Sequence, residues 1–188
     1  INEWFDFSEP KIPYPVALTM NYEWGGGNSY KFTNIDSDYF SGNIEILENG
    51  DKNVQLASND MDFDFSFFLK PQKITNKTNL NLDFYGAIKF NNRTFNHVKI
   101  NANISQDSIQ INNIIADDIA ITGGTINADG AKNIMITMPY VNKNVMCLFS
   151  GTPEKWQCSK FTYGDLSGTI SVNHDQYDII VQSNAPVP

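Results

Sequence analysis

Apolar and polar residues alternate along most of this chain with a period of two. In the segments Leu80–Phe84, Val98–Ile104 and Ile134–Met138, an apolar residue stands at every second position. Such a period places the apolar side chains of a strand on one face of a sheet, whereas a helix would repeat them every three or four residues. Helical periodicity is nearly absent, so the pattern predicts an all-β fold.

Turn residues separate these alternating segments. Asn49-Gly50 is a strong hairpin signal, because both residues tolerate the backbone angles of a two-residue turn. Gly25–Gly27 divides two aromatic segments, and Asn91-Asn92 and Asp129-Gly130 mark further turns. The chain is therefore predicted to run from strand to strand through short connections.

One pattern occurs four times along the chain: a glycine, any residue, an isoleucine, any residue, an apolar or small residue, a turn and a second alternating strand. The four copies begin at Gly42, Gly86, Gly124 and Gly168, which are 44, 38 and 44 residues apart. Self-similarity at a near-constant spacing is typical of repeat proteins, in which neighbouring units share one apolar face. A glycine at the start of each hairpin would allow a bulge or a tight bend.

The repeat predicts one domain over residues 1–188, with units at 14–58, 59–102, 103–138 and 139–183 and flexible ends at 1–12 and 184–188. We expect an elongated, twisted repeat sheet, groove-like or solenoid-like, built from antiparallel hairpin units. The alternative is a β-sandwich whose hairpins resemble one another by chance.

Composition and charge disfavour some classes of binding partner. The net charge is −8, and the 13 Lys and Arg residues are scattered singly. No basic stripe is available to neutralise phosphates, which disfavours nucleic acids and anionic membrane surfaces as partners. No apolar run reaches the roughly 18 residues of a membrane-spanning helix. The chain begins at Ile1 without Met and ends in Ala185–Pro188, so we expect it to be an internal piece of a longer protein.

The two cysteines, Cys147 and Cys158, flank a predicted hairpin turn at Gly151-Thr152-Pro153. One cysteine on each arm allows the two thiols to meet, and a disulfide there would indicate an oxidising compartment. The alternative is a pair of buried, unbonded thiols.

Residues for catalysis or metal binding do not form a recognisable set. His97 and His174 belong to different repeat units, and a zinc site needs three or four convergent ligands. Asp60, Asp62 and Asp64 alternate along one strand face and are interpreted as a solvated acidic edge. We find no nucleophile with a supporting base, so the sequence predicts no enzyme activity, no metal and no cofactor. A hydrolase that uses scattered carboxylates is the weakest hypothesis.

The apolar face is the candidate functional surface. Its candidate lipid-binding residues are Leu82, Phe84, Ile88, Phe90, Val98, Ile100, Ile109, Ile111, Ile134, Ile136 and Met138. Further members of this face are Ile44, Ile46, Val54, Leu56, Ile170, Val172, Ile179 and Val181. A closed core would exclude solvent from all of them, whereas an open trough would leave an extended apolar patch. Periodicity is compatible with both.

The stretch from Val54 to Ala131 resembles the AsmA-like family of Gram-negative envelope proteins, which includes the TamB and YhdP relatives. The resemblance is carried by an acidic-apolar segment, three alternating strands and a strand that ends in Gly-Gly. These segments are Met61–Phe65, Leu80–Phe84, Phe95–Ile100, Ser108–Ile111 and Ile121–Ile126.

The resemblance implies a periplasmic β-groove whose parent protein is anchored in the inner membrane by an N-terminal helix. Apolar side chains line such a groove, which carries phospholipid acyl chains and serves outer-membrane biogenesis and envelope integrity, with other envelope proteins as further partners. This chain departs from the family pattern because it is short and has no anchor. The alternative is a secreted or surface-located structural or adhesive β-module that binds a protein or a glycan, for example through the aromatic segment Trp4–Trp24.

Overall fold

The structure is a computed structural model that describes residues 17–38, 40–58, 63–64, 76–90, 93–127, 129–152 and 154–185. Every regular element in these ranges is a β-strand, which confirms the all-β prediction. The predictions for the end at 1–12, for Asp60 and Asp62 and for the Asn91-Asn92 turn lie outside the described residues. The chain divides into two compact units, Ile1–Gln106 and Asp107–Pro188, named here unit 1 and unit 2.

Unit 1 contains seven strands among its described residues. They are β1 (Leu18–Gly26), β2 (Ser29–Ser37), β3 (Ser41–Ile46), β4 (Lys52–Ser58), β5 (Phe63–Asp64), β6 (Thr78–Phe90) and β7 (Arg93–Ile104). Their order in the sheet is β1-β2-β3-β4-β6-β7, with β5 beside the far end of β6. Because alternation supplies one apolar face on each strand, the strands can pair side by side with these faces in common.

Most neighbours in unit 1 are antiparallel, as predicted, but β4 and β6 are parallel. Their register runs from Lys52 opposite Thr78 to Ser58 opposite Phe84. The pair β5 and β6 is also parallel. A parallel pair cannot be closed by a tight turn, and here the connection extends from Ser58 to Thr78. This pairing is a departure from the antiparallel hairpin units predicted from the sequence.

Unit 2 contains eight strands among its described residues. They are β8 (Ser108–Ala116), β9 (Ile119–Thr122), β10 (Thr125–Asn127), β11 (Gly130–Tyr140), β12 (Lys143–Gly151), β13 (Lys155–Tyr163), β14 (Leu166–Asn173) and β15 (Gln176–Ser183). All of their pairings are antiparallel. β9 and β10 both lie between β8 and β11, so together they act as one strand that is interrupted at Gly123 and Gly124.

In each unit the described strands belong to one hydrogen-bonded sheet, rather than to the two stacked sheets of the sandwich alternative. The predicted turns at Asn49-Gly50 and Asp129-Gly130 lie where strands end, and Gly27 and Asn28 form the turn of the first hairpin. At Asn49-Gly50 the Asn49 side chain accepts a hydrogen bond from the backbone N–H of Asp51. This bond is the Asx-turn that favours asparagine at such positions.

Gly42 and Gly168 occupy closely similar positions. Beside each glycine, the preceding strand contains a β-bulge, in which two residues face a single partner. The two residues are Thr33 and Asn34 in β2, and the corresponding pair in β13. A Cβ atom at Gly42 would collide with the carbonyl oxygen of Gln55, and one at Gly168 with that of Ile180. Both glycines therefore permit a close approach of the next strand beside a β-bulge.

Gly86 and Gly124 have different surroundings. Gly86 lies inside the β6 bulge between Tyr85 and Ile88, with a φ of 112°. Gly124, with a φ of 85°, lies at the break between β9 and β10, where its N-terminal neighbour Gly123 also has a positive φ. All four glycines therefore mark irregularities of a sheet, and the first and the fourth occupy the same place beside a bulge, although of these two only Gly42 has a positive φ. The four predicted unit boundaries stay a prediction.

Candidate functional surface on the apolar faces

The apolar face of unit 1 is organised in rows that run across the strands. In one row, Phe32, Ile44, Val54, Leu80 and Ala102 are successive register partners from β2 to β7. A second row contains Ile35, Gly42, Leu56, Leu82 and Ile100. Directly paired residues of a sheet lie on the same face, so each row is a band of apolar side chains, interrupted in the second row at Gly42.

Four of the predicted lipid-binding residues lie together in unit 1. Leu82 pairs with Ile100, and Phe84 pairs with Val98. Leu82, Phe84 and Val98 are buried, and Ile100 is half-buried. Burying a side chain of this size stabilises the fold by about 1.5–3 kcal/mol, so these residues form the core of the unit. Two further candidates, Ile88 and Phe90, lie in β6 beyond its bulge, and their side chains are outside the described part of the structure.

The apolar face of unit 2 has the same construction. One row contains Ile134, Phe149, Cys158, Ile170 and Ile179. The next row contains Ile114, Ile121, Ile136, Cys147, Phe161, Gly168 and Val181. Ile134 and Cys158 are buried, whereas every residue of β15 is exposed. Exposure on this face therefore increases from the middle of the sheet toward β15.

The predicted candidates of unit 2 also differ in exposure, but here it changes along the strands β8 and β11. Ile111 and Ile134 are buried and Ile136 is half-buried, whereas Met138 is 39% exposed. Ile109, at the other end of β8, is 37% exposed and pairs with the similarly exposed Ile126. The buried members belong to the interior, and the exposed members can contact a ligand. Buried and exposed side chains therefore both occur on the apolar face of unit 2.

A row that the sequence did not reveal completes the accessible region. Met138, Val145, Tyr163 and Leu166 are successive register partners from β11 to β14. Met138 and Leu166 are exposed, and Val145 and Tyr163 are half-buried. We name these four residues, with Ile179 and Val181 of β15, the exposed strip. Sequence reasoning missed Val145 because apolar residues occupy both faces of β12, so that its alternation is hidden.

The predicted disulfide between Cys147 and Cys158 is present, and it joins β12 to β13. The two Cα atoms are 5.5 Å apart, a separation typical of disulfides. Cys147 is the partner of Phe161, and Phe149 is the partner of Cys158, so both sulfurs lie on the apolar face. Such a bond persists in an oxidising, extracytoplasmic compartment.

His97 belongs to a polar cluster on the opposite face of unit 1. Its Nε2 atom lies 2.7 Å from Oδ1 of Asp83, and Nζ of Lys99 lies 2.9 Å from Oδ2 of the same carboxylate. Burial alone would raise the pKa of Asp83, but hydrogen bonds from His97 and Lys99 outweigh it and hold the pKa below its ordinary value. The Tyr85 ring stacks on the imidazole with a centroid distance of 4.1 Å.

His174 lies in the turn between β14 and β15, where its Nε2 atom is 3.8 Å from a carboxylate oxygen of Glu154. Across the described ranges, no group of three or more His, Cys, Asp and Glu side chains could hold a metal ion. The same part of the chain contains no helix long and apolar enough to cross a membrane. The apolar face thus stays the candidate functional surface.

The chain matches no protein-family model, no curated protein and no solved structure. The resemblance to AsmA-like proteins therefore rests on the quoted sequence segments.

Proposed function

We propose that the exposed strip of unit 2 binds phospholipid acyl chains, and that the chain is a periplasmic β-groove module of an AsmA-like envelope protein. In this proposal the parent protein is anchored in the inner membrane and takes part in phospholipid transport and outer-membrane biogenesis. The chain itself binds lipid and catalyses no reaction.

The observation that carries the proposal is the combination of one apolar face with graded exposure. Ile134 and Cys158 are buried, while Met138, Leu166 and Ile179 on the same face are 39%, 39% and 61% exposed. Val145 and Tyr163 join Met138 to Leu166 in one row, whereas Ile179 and Val181 lie on the same face in the two neighbouring rows. Exposed apolar side chains grouped on one face mark a binding surface for an apolar partner, because isolated ones would need no explanation. An acyl chain offers that chemistry without requiring hydrogen bonds from the strip.

The buried candidates have a supporting role in this proposal. Leu82, Phe84 and Val98 in unit 1, and Ile111 and Ile134 in unit 2, pack within their own sheets and hold the strands in register. The disulfide is consistent with a periplasmic location, because it requires an oxidising compartment.

Photo-crosslinking at two adjacent positions of β15 tests the lipid site. Ile179 pairs with Ile170 on the apolar face, whereas Ile180 pairs with Thr169 on the other face. Their exposed fractions are nearly equal, at 61% and 63%. We expect p-benzoylphenylalanine at position 179 to label phospholipid in bacterial envelopes, and the same group at position 180 to label little.

Equal labelling at both positions would show non-specific adsorption and would contradict the proposal. Lipid mass spectrometry of the purified chain gives an independent measurement. If no phospholipid is retained by the unmodified chain, and position 179 labels none, the strip has another role.

A further inference from the structure

The polar face of unit 1 contains side-chain amides from three adjacent strands. Asn53 and Gln55 come from β4, Asn79 and Asn81 from β6, and Asn43 from β3. The register places Asn43 opposite Gln55 and Gln55 opposite Asn81, and it places Asn53 opposite Asn79. The five amides therefore form two neighbouring rows on one side of the sheet.

The first row is fixed by hydrogen bonds that converge on Glu45 from both sides. Asn79 Nδ2 donates to Asn53 Oδ1 at 2.7 Å, and Asn53 Nδ2 donates to Glu45 Oε2 at 3.0 Å. Nζ of Lys31 lies 3.1 Å from Glu45 Oε1. The hydrogen bond from Asn53, followed by that from Lys31, holds the pKa of Glu45 below its ordinary value. These bonds orient the amides before any ligand arrives, which lowers the entropic cost of binding.

The amides of the second row differ from those of the first row in their hydrogen bonds. Asn43 Oδ1 accepts a hydrogen bond from the backbone N–H of Asn34, which occupies the β2 bulge. Gln55 and Asn81 are exposed, and within the described residues neither side-chain amide has a hydrogen-bond partner. Each amide offers two N–H donors and one carbonyl acceptor, so the pair presents donors and acceptors side by side.

A shallow depression of about 400 Å³ lies over both rows, and its lining includes Lys31, Thr33, Glu45 and the five amides. Its two charged groups form an ion pair with each other, so the depression has no unpaired cation that would favour a phosphate or a carboxylate. The depression is open and its lining side chains are mostly polar, so a ligand here is held by hydrogen bonds rather than by enclosure. The chemistry fits a ligand that is neutral and rich in hydroxyl groups.

An aromatic side chain extends this surface along β6. Tyr85 lies on the same face as Asn81, four positions further along the strand, or about 13 Å at 3.3 Å per residue. It stacks against His97 and is 45% exposed. A tyrosine ring is apolar over its body and polar at its tip, so it suits the apolar face of a sugar ring. The distance from Asn81 to Tyr85 matches a chain of a few sugar residues.

We infer that the two amide rows and Tyr85 form a binding site for a neutral oligosaccharide. Sugar hydroxyls replace the water on Gln55 and Asn81, and a sugar ring further along the ligand packs against Tyr85. This site lies on unit 1 and does not depend on the lipid proposal for unit 2.

Nuclear magnetic resonance titration tests the site. The probes are the neutral tetrasaccharides of maltose, cellulose and chitin, and the anionic tetramer of galacturonic acid serves as a ligand control. We expect at least one neutral probe to shift the side-chain amide signals of Asn53, Gln55, Asn79 and Asn81, and the anionic probe to shift none. The double variant Gln55→Ala/Asn81→Ala is expected to weaken binding about tenfold or more, because it removes two sets of hydrogen bonds.

Asn144→Ala provides a matched control, because Asn144 is an exposed strand amide of unit 2 outside the site. Its variant should bind the neutral probe as the unmodified chain does, and Tyr85→Ala should bind more weakly. The inference is overturned if no neutral probe shifts the amide signals, or if Gln55→Ala/Asn81→Ala binds as tightly as Asn144→Ala. Backbone spectra of each variant establish that the sheet is retained.

Discussion

Leu82 in unit 1 and Ile179 in unit 2 both lie on the apolar face of a strand, yet they differ widely in exposure. Each lies opposite an apolar partner, Ile100 for Leu82 and Ile170 for Ile179. Leu82 is 7% exposed, whereas Ile179 is 61% exposed. The strand of Leu82 lies between β4 and β7, while in unit 2 the described neighbour of β15 is β14. Alternation therefore determines the face of a side chain, and flanking strands determine its burial.

The largest expected effect is the difference in stability between alanine variants of these two residues. Leu82→Ala removes buried methyl groups and leaves a cavity, so we expect it to lower the free energy of unfolding by about 2–5 kcal/mol. Ile179→Ala removes side-chain atoms that are already in water, and we expect a loss of no more than about 0.5 kcal/mol. Urea denaturation followed by circular dichroism measures both. Similar losses for the two variants would show that β15 is covered in solution.

The disulfide gives unit 2 a stabilising link that the described part of unit 1 does not have. It closes a loop with a sequence separation of 11 residues, and the loss of chain entropy in the unfolded state predicts a stabilisation of about 3 kcal/mol. We expect Cys147→Ser/Cys158→Ser to lower the urea midpoint accordingly. A reductant should lower the midpoint of the unmodified chain and leave that of the variant unchanged. A variant as stable as the unmodified chain would contradict this prediction.

Replacing a buried hydroxyl group in unit 1 is expected to have a smaller effect on stability, and to increase it rather than lower it. Thr78 is fully buried, and its hydroxyl has no hydrogen-bond partner among the described residues. Replacing an unpaired buried hydroxyl by a methyl group of similar size removes a desolvation cost, so Thr78→Val should raise the free energy of unfolding by about 1 kcal/mol. Thr78→Ser retains the hydroxyl and loses the methyl group, so it should be destabilising. A loss of stability in Thr78→Val would indicate a partner for the hydroxyl.

The smallest expected effect is the pH dependence of stability that arises from Asp83 on the polar face. The pKa of Asp83 in the folded chain lies below its ordinary value of 3.8, so its ionised form stabilises the fold above that pH. This contribution is lost as the pH falls through the folded-state pKa. Asp83→Asn should therefore lower the urea midpoint at neutral pH, and the difference should disappear in acid. Asp129→Asn is a control, because Asp129 is 81% exposed at its contact with Lys132. A pH-independent difference for Asp83→Asn would contradict the assignment.

The sequence predicted the local features of the fold well, because they depend on neighbouring residues. Alternation located the strands and their apolar faces, Asn49-Gly50 located a turn, and the spacing of Cys147 and Cys158 predicted their bond. The parallel pairing of β4 with β6 was not predicted, because nothing near either strand specifies which distant strand will lie beside it.

The same limit applies to the candidate sites. The lipid-binding candidates were chosen by face, so they include buried residues such as Ile111 and exposed residues such as Met138. Val145, Tyr163 and Leu166 were missed, because the row that joins them to Met138 follows from the register of four strands. The contact between Asn53 and Asn79 likewise arises only when the parallel pair forms. Contacts that depend on long-range register therefore could not be predicted from the sequence.

The parallel pair also has a consequence for the order in which unit 1 folds. Adjacent hairpins can zip together on a microsecond timescale, because each closes a short loop. The pairing of β4 with β6 requires a much longer loop, from Ser58 to Thr78, to close. Contacts between residues far apart in sequence slow folding. We therefore expect the meander of β1 to β4 and the hairpin of β6 and β7 to form first. Their joining is then the rate-limiting step of refolding.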